Sequence, residues 1–376
     1  MNLDRVAWNV RRPLRPLIPF SLNISIPGLC ALFFFSGASR VLALSPLASA
    51  TPTPKPSVVY SIRDPSAIKQ YRTDPAVVRR MVDRLVIAIT GQLNVGSAWA
   101  SLVSPNDKIG IKISAAGGEL FTTHHAVVDA IVEGLVAAGH SRKDIVVWDR
   151  QLDAIKQAGY RPEADGYQLL SIAPHDGYDA KATFTAPAMG KLIWGDLDFI
   201  PQRGENPMRT ETVNASDKSH FAKIVTEKVT KIINVPVMSD SFATGLAGCL
   251  YNVTLPNIDN WRRFAQYGRF GAAGIPQLYA ERNIAGKVVL NIMDGLIAAY
   301  AGGPRSDPNF AIHFETLYAS KDPVAIDALA LRRLEQFRAD AKMPAIGDLA
   351  SHVALAGEMG LGNADLARID ERHLSP

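Results

Sequence analysis

The 376-residue chain has almost no cysteine: two in all, Cys30 and Cys249. A single thiol beyond residue 50 cannot close an internal disulfide, ligate an iron–sulfur cluster or complete a structural zinc site. Cys249 sits in Gly245-Leu246-Ala247-Gly248-Cys249-Leu250, where it reads as a small buried apolar residue. Charge of one sign is also scarce. The formal net charge is +4, and Arg5, Arg11, Arg12, Arg15 and Arg40, set against Asp4 alone, account for all of it within residues 1–50. The rest of the chain is balanced, so no basic face is expected and nucleic acid is excluded as a partner. Internal repeats and low-complexity tracts are missing. So are a G-x-S-x-G elbow, a P-loop and an H-E-x-x-H pair, and no reaction is declared by motif.

Residues 1–50 read as an export signal. A basic start precedes the mostly apolar stretch from Leu17 to Gly37, and Ala48-Ser49-Ala50 supplies a small-residue cleavage site. Pro19, Asn23 and Pro27 interrupt the apolar run, which disfavours a spanning helix of roughly 20 clean residues. Arg11-Arg12 followed by Leu14 loosely resembles a twin-arginine signal, although Pro13 and Arg15 fit it poorly. The expected location is periplasmic or extracellular, with membrane contact only through an uncleaved leader. Residues 51–74 then form a linker and a first strand, and residues 75–376 a single α/β domain.

Periodicity gives the order of elements. Val58 to Ile62 reads as a strand, and Pro75 to Leu93 as an amphipathic helix with Val77, Val78, Met81, Leu85 and Ile89 at helical spacing. Lys108 to Ile113 is a strand, His124 to Ala138 a helix closed by Gly139, Asp144 to Trp148 a strand, and Gln151 to Gln157 a helix. This alternation predicts right-handed crossovers and a mostly parallel sheet with flanking helices in Rossmann-like layers. Residues 159–218, rich in Gly, Pro, Asp and Tyr, are expected to be an irregular insertion of short strands and loops covering one sheet edge. Apolar runs there are Gln168 to Ile172 and Met189 to Trp194. Lys231 to Pro236 is a strand, Gly245 to Asn252 opens a helix, and Gly286 to Met293 is a buried strand. Pro323 to Phe337 is a helix capped by Asp322, and a last helix spans Ile346 to Met359.

Several segments together resemble the domain-of-unknown-function 362 family, a prokaryotic group some of whose members carry ferredoxin-like cluster domains. The resemblance covers about Lys108 to Arg333. It rests on Thr123 with the helix Val127 to Gly139, the strand ending in Asp149, and Gly245-x-x-Gly248-x-x-x-Asn252. Met293-Asp294-Gly295, Gly302-Gly303-Pro304 and Ser320-x-Asp322-Pro323-Val324-Ala325-x-Asp327 complete it. Two departures stand out: Ile113-Ser114 follows Lys112 where relatives often show Pro-Asn, and Tyr251 stands where many have lysine. The cysteine-rich cluster domain is absent, so an electron-transfer role does not carry over.

Candidate site residues follow from strand ends. Asp149 ends an apolar strand and reads equally as a helix cap or a ligand. Asp294 leaves a buried strand beside Gly295, which lets a ligand approach closely. Asp327 lies among Val324-Ala325-Ile326 and Ala328-Leu329-Ala330, where a carboxylate needs a partner or a metal. Together Asp149, Asp294 and Asp327 are the expected ligands of a divalent cation, with Asp294 and Asp327 also the catalytic candidates. Lys112, Thr123, His124, Gly245, Gly248 and Asn252 are the expected contacts to an anionic small molecule, through ammonium, hydroxyl and backbone N–H groups. Threonine capping with exposed histidines is the competing reading of Thr122-Thr123-His124-His125. The leading expectation is a carboxylate-rich, metal-dependent site. The alternatives are a non-catalytic extracytoplasmic solute-binding protein and a redox accessory protein.

Overall fold

Short aliphatic runs bounded by proline and glycine build the sheet, and Asp-Pro pairs, Asp74-Pro75 and Asp322-Pro323, start two of the helices that cover it. The computed structural model describes residues 55–161, 166–173, 175–185, 218–261, 264, 269–303 and 307–376. Residues 1–50, expected to be an export signal, the run from Met189 to Trp194, Asp196, Asp198, Ser216, Arg262, Arg263 and Pro304-Arg305 lie outside the described residues.

After β1 (Ser57–Arg63) and the two-residue pair β2 (Ile68–Lys69) and β3 (Arg72–Thr73), helix α1 spans Pro75–Thr90. Its Asp74 carboxylate accepts from the Ala76 and Val77 amides, and Pro75 occupies the first helical position, where no N–H is needed. Then come α2 (Val95–Ala100), β4 (Ile109–Ile113), α3 (His125–Ala137), β5 (Val146–Gln151), α4 (Leu152–Gln157) and β6 (Gln168–Ala173). Strands β7 (Tyr178–Thr185) and β8 (Lys218–Ala222) pair antiparallel in a small sheet of their own. The chain continues through β9 (Lys231–Val235), β10 (Val237–Ser241), β11 (Gly245–Leu246), α5 (Cys249–Val253) and α6 (Arg269–Ala280). It closes with β12 (Val288–Ala299), β13 (Ala311–Ser320), α7 (Pro323–Asp340), α8 (Ser351–Glu358) and β14 (Ile369–Leu374).

The main sheet has the order β14-β1-β13-β12-β9-β4-β5-β6, with β10 and β11 attached off that path. From β12 to β6 every neighbour is parallel, as the alternation of strands and helices requires. The fold is therefore α/β with a mostly parallel central sheet and helices on both faces. Side-chain alternation divides the core. Ile109, Ile111, Ile113, Ile233, Val235, Leu290 and Ile292 join the apolar cluster under α1, α2 and α3. The opposite cluster holds Ile232 and Met293 together with residues of α5, α7 and α8.

Two strand assignments differ from the sequence reading, and the direction of a third strand bears on the site. Gln168–Ala173, expected within an irregular insertion, is the edge strand of the main sheet, parallel to β5. Strand β12 does not stop at Asp294: β9 ends at Val235, before Pro236, but β10 carries the pairing onward along β12, so Asp294 lies mid-strand. Strand β13 runs antiparallel to β12, with Ser320 opposite Asn291. Its carboxyl end therefore faces the opposite sheet edge from those of the parallel strands. Among the described residues, no helix is long and apolar enough to cross a membrane.

Candidate functional site

Strand order reverses at β4: the chain proceeds outward through β5 and β6 on one side, then returns to place β9 and β12 on the other. Loops leaving the carboxyl ends of strands on either side of such a switch point diverge and open a crevice. A cleft of about 500 Å³ lies there. Ser114 and Ala116 after β4, Asp149 to Gln151 at the end of β5, Asp153 and Gln157 of α4, and Tyr251, Asn252 and Trp261 from the α5 region line it, with Phe242 at the rim.

The floor is a buried ion pair. Lys112, next to last in β4, is fully buried, and its ammonium lies 2.7 Å from Asp149 Oδ1. It also donates to the Ile113 carbonyl at 2.7 Å and to Asn252 Oδ1 at 3.3 Å. An ammonium has three protons, and here three acceptors take them. Burial pushes the Lys112 pKa down, and the Asp149 charge opposes that shift. Asp149 accepts further from the Ala115 amide at 2.7 Å and the Arg150 amide at 2.8 Å. Arg150 donates to the Leu255 and Ile258 carbonyls at 3.4 and 3.2 Å and lies over the Trp261 ring, 5.2 Å from its centroid. Tyr251 borders the cleft, its pKa raised by burial to about 12, so its hydroxyl stays neutral.

Beneath α5 the polar floor extends across the sheet. Lys112 pairs in register with Asn234, Asn234 with Asn291, and Asn291 with Ser320. Asn252 Nδ2 donates to Asn234 Oδ1 at 2.8 Å, and Asn234 Nδ2 donates to Asn291 Oδ1 at 2.8 Å and to the Cys249 carbonyl at 3.0 Å. Sequence reasoning missed Asn234 and Asn291. Their signal was present: one asparagine interrupts each of Ile232-Ile233-Asn234-Val235 and Leu290-Asn291-Ile292, where a buried amide must find partners.

The remaining candidates are brought elsewhere. Asp294 Oδ2 accepts from the His124 amide and from His124 Nδ1, both at 2.8 Å, while Oδ1 accepts from the Leu296 amide at 3.1 Å. This fixes the start of α3 to the middle of β12. Thr123 is wholly buried; its hydroxyl donates to the Val235 carbonyl at 2.6 Å and accepts from the Ser114 amide at 2.9 Å. It ties β4 to β9. His124 is itself buried, and His125 stacks on Tyr160, so the pair is not the exposed one that capping implied.

Asp327 lies across the sheet from Asp294, under α5. Its carboxylate accepts from the Cys249 amide at 2.6 Å and the Leu250 amide at 2.9 Å, capping that short helix from a distance in sequence. Burial raises its pKa to about 7. Gly248 is what lets it approach: a Cβ there would stand 2.2 Å from Asp327 Oδ1. Gly245, at φ 73°, packs against the Ala350 amide, where a Cβ would meet the nitrogen at 2.6 Å. Close packing accounts for both glycines.

The three aspartates thus occupy three places, and the shared metal centre expected from Asp149, Asp294 and Asp327 does not form. The antiparallel course of β13 sends Asp327 back from the opposite edge, and each carboxylate is already committed to amides, an ammonium or a histidine. Among the described residues no group of three or more His, Cys, Asp or Glu is placed to hold a metal ion. Of the expected site residues, the structure assembles Lys112, Asp149 and Asn252.

Comparison with known proteins agrees with the sequence resemblance. The family model described as a domain of unknown function, DUF362, matches residues 108–332. A crystal structure of a Thermotoga maritima protein is similar over 73% of this chain and 61% of that one, at 10% identity and a TM-score of 0.38. The matched part thus spans about three fifths of that structure. The search of curated proteins returns no match.

Proposed function

Because the chain belongs to the DUF362 family, whose description names no activity, we propose from geometry alone that it binds a small, uncharged, hydroxyl-bearing ring compound, such as a sugar unit, in the cleft after β4 and β5. The observation that carries this reading is the neutral floor: Lys112 and Asp149 cancel each other beneath the cleft at 2.7 Å. Among the described lining residues the only cation is Arg150, which already donates to two carbonyls, while Asp153 would repel an anion. The earlier expectation of an anionic ligand is therefore set aside.

What the cleft offers is hydrogen bonding and flat apolar surface. Ser114, Gln151, Gln157 and the neutral Tyr251 hydroxyl present donors and acceptors suited to alcohol groups. Trp261 and the exposed Phe242 present rings for the apolar faces of a cyclic solute. Lys112 and Asn252 hold these groups in place without needing to touch the ligand. Lys112 is a positioning residue, because all three of its protons are taken. With the export signal read in residues 1–50, an extracytoplasmic solute-binding protein is the function we adopt.

A thermal-shift panel of neutral mono- and disaccharides, run beside sugar phosphates and uronic acids, tests this. Stabilisation is expected from a neutral sugar, unchanged by chelator and lost in Trp261→Ala. A response only to charged compounds, or one that survives Trp261→Ala intact, contradicts the proposal.

A further inference from the structure

A second cleft lies toward the far end of the sheet from β4 and β5, between strands β1, β13 and β14 and helix α7. We infer that this cleft binds the phosphate group of a small molecule, held by Arg333, His373 and Arg63 with the Ser61 hydroxyl.

Register assembles it. Ser61 stands opposite Tyr318 on β13 and opposite His373 on β14, and Arg63 opposite Thr316. These side chains, with Arg333 of α7 above them, line a space of about 300 Å³. At a liquid volume of about 30 Å³ per water, that is room for a phosphate group and the first atoms of its ester.

Charge gives the ligand class. The lining holds Arg63, Arg333 and His373 and no carboxylate. Two acids stand nearby: Glu315 pairs with Arg63 at 2.9 Å, and Glu371 gives Oε2 to Arg332 at 2.7 Å while its Oε1 has no hydrogen-bond partner. Arg333 reaches Glu371 only at 3.7 Å, beyond hydrogen-bond length, and its buried Nε has no acceptor. A buried guanidinium N–H without an acceptor is costly, and the planar fork fits phosphate oxygens. Arg333 also acts on the buried Tyr318 hydroxyl, whose pKa burial raises and Arg333 lowers.

Donors besides the arginines are present. Ser61, almost wholly buried, shares a 2.7 Å hydrogen bond with His373 Nδ1, so either partner can turn its remaining donor to a ligand oxygen. Two arginines and a histidine around hydroxyls suit a compact dianion better than a carboxylate.

The test is isothermal titration of the full chain with inorganic phosphate and with glycerol phosphate, against chloride at matched ionic strength. Saturable one-to-one binding is expected, weakened about tenfold or more in Arg333→Gln, the loss expected for one charge-assisted contact. Arg63→Gln, at an exposed rim position, should weaken it also and guards against misfolding of the first variant. Tighter binding of glycerol phosphate assigns the site to an ester, and equal binding assigns it to the free ion. No heat beyond the chloride control, or undiminished binding in both variants, overturns the inference.

Discussion

Replacing Lys112 with methionine tests the neutral floor most sharply. The substitution keeps the length of the stem and removes the ammonium, so Asp149 is left without its buried partner in a site only 6% exposed. The Ile113 carbonyl and Asn252 Oδ1 lose a donor at the same time. Breaking a buried pair from one side costs about 3–5 kcal/mol. The Ala115 and Arg150 amides still serve Asp149, which argues for the lower end of that range. A domain stable by about 5–15 kcal/mol would lose a large fraction of its margin. Urea unfolding at neutral pH, followed by circular dichroism, reads this as a lower midpoint with an unchanged m-value. Adding Asp149→Leu should recover much of the loss, because an apolar pair of similar volume avoids the desolvation of both charges. A loss below about 1 kcal/mol, the range of an exposed ion pair, would refute the reasoning.

Two buried groups should give opposite pH dependence. Asp327 is raised from 3.8 to about 7, so folding favours its protonated form. Its contribution is complete below about pH 4 and is lost as pH rises through 7, by on the order of a few kcal/mol. Urea midpoints of Asp327→Asn from pH 4 to 8 should lack that decline, and a decline equal to wild type would exclude the assignment. His352 is wholly buried and lowered from 6.5 to about 4, so the unfolded chain takes up its proton first. Stability from its neutral form is present above 6.5 and lost as pH falls through 4. In His352→Leu this acid loss should disappear; an unaltered acid limb would show another group responsible. Gly248→Ala sets a Cβ 2.2 Å from Asp327 Oδ1 and should cost about 1–3 kcal/mol as overpacking. Thermal unfolding at wild-type temperature would show that α5 can shift to accommodate it.

The parallel half of the sheet was legible because its strands are short aliphatic runs, and two covering helices were legible from Asp-Pro starts, Asp74 before Pro75 and Asp322 before Pro323. Lys112 and Asn252 were legible as site residues, one at a strand end and one after a glycine-rich segment. What they do there was not, since an anion-binding lysine and a lysine saturated by Asp149, Asn252 and a carbonyl read alike in one dimension. The aspartates were misread for a topological reason. Spacing shows that Asp294 and Asp327 follow strands, but not that β12 continues past Asp294 or that β13 runs backwards. Met293-Asp294-Gly295 looks like a strand end because glycine usually ends strands. Here Gly295 marks a register shift within one. Burial also hides intent: a carboxylate in an apolar helix demands a partner, and two amides of α5 meet that demand as well as a metal would.

Whether a neutral sugar occupies the cleft after β4 and β5 is most directly settled by hydrogen exchange of the full chain with and without the sugar that stabilises it best. Slowed exchange confined to residues 114–118, 149–157 and 242–261 is the expected result. Protection elsewhere, or none at saturating sugar, would contradict a binding site built on Lys112 and Asp149.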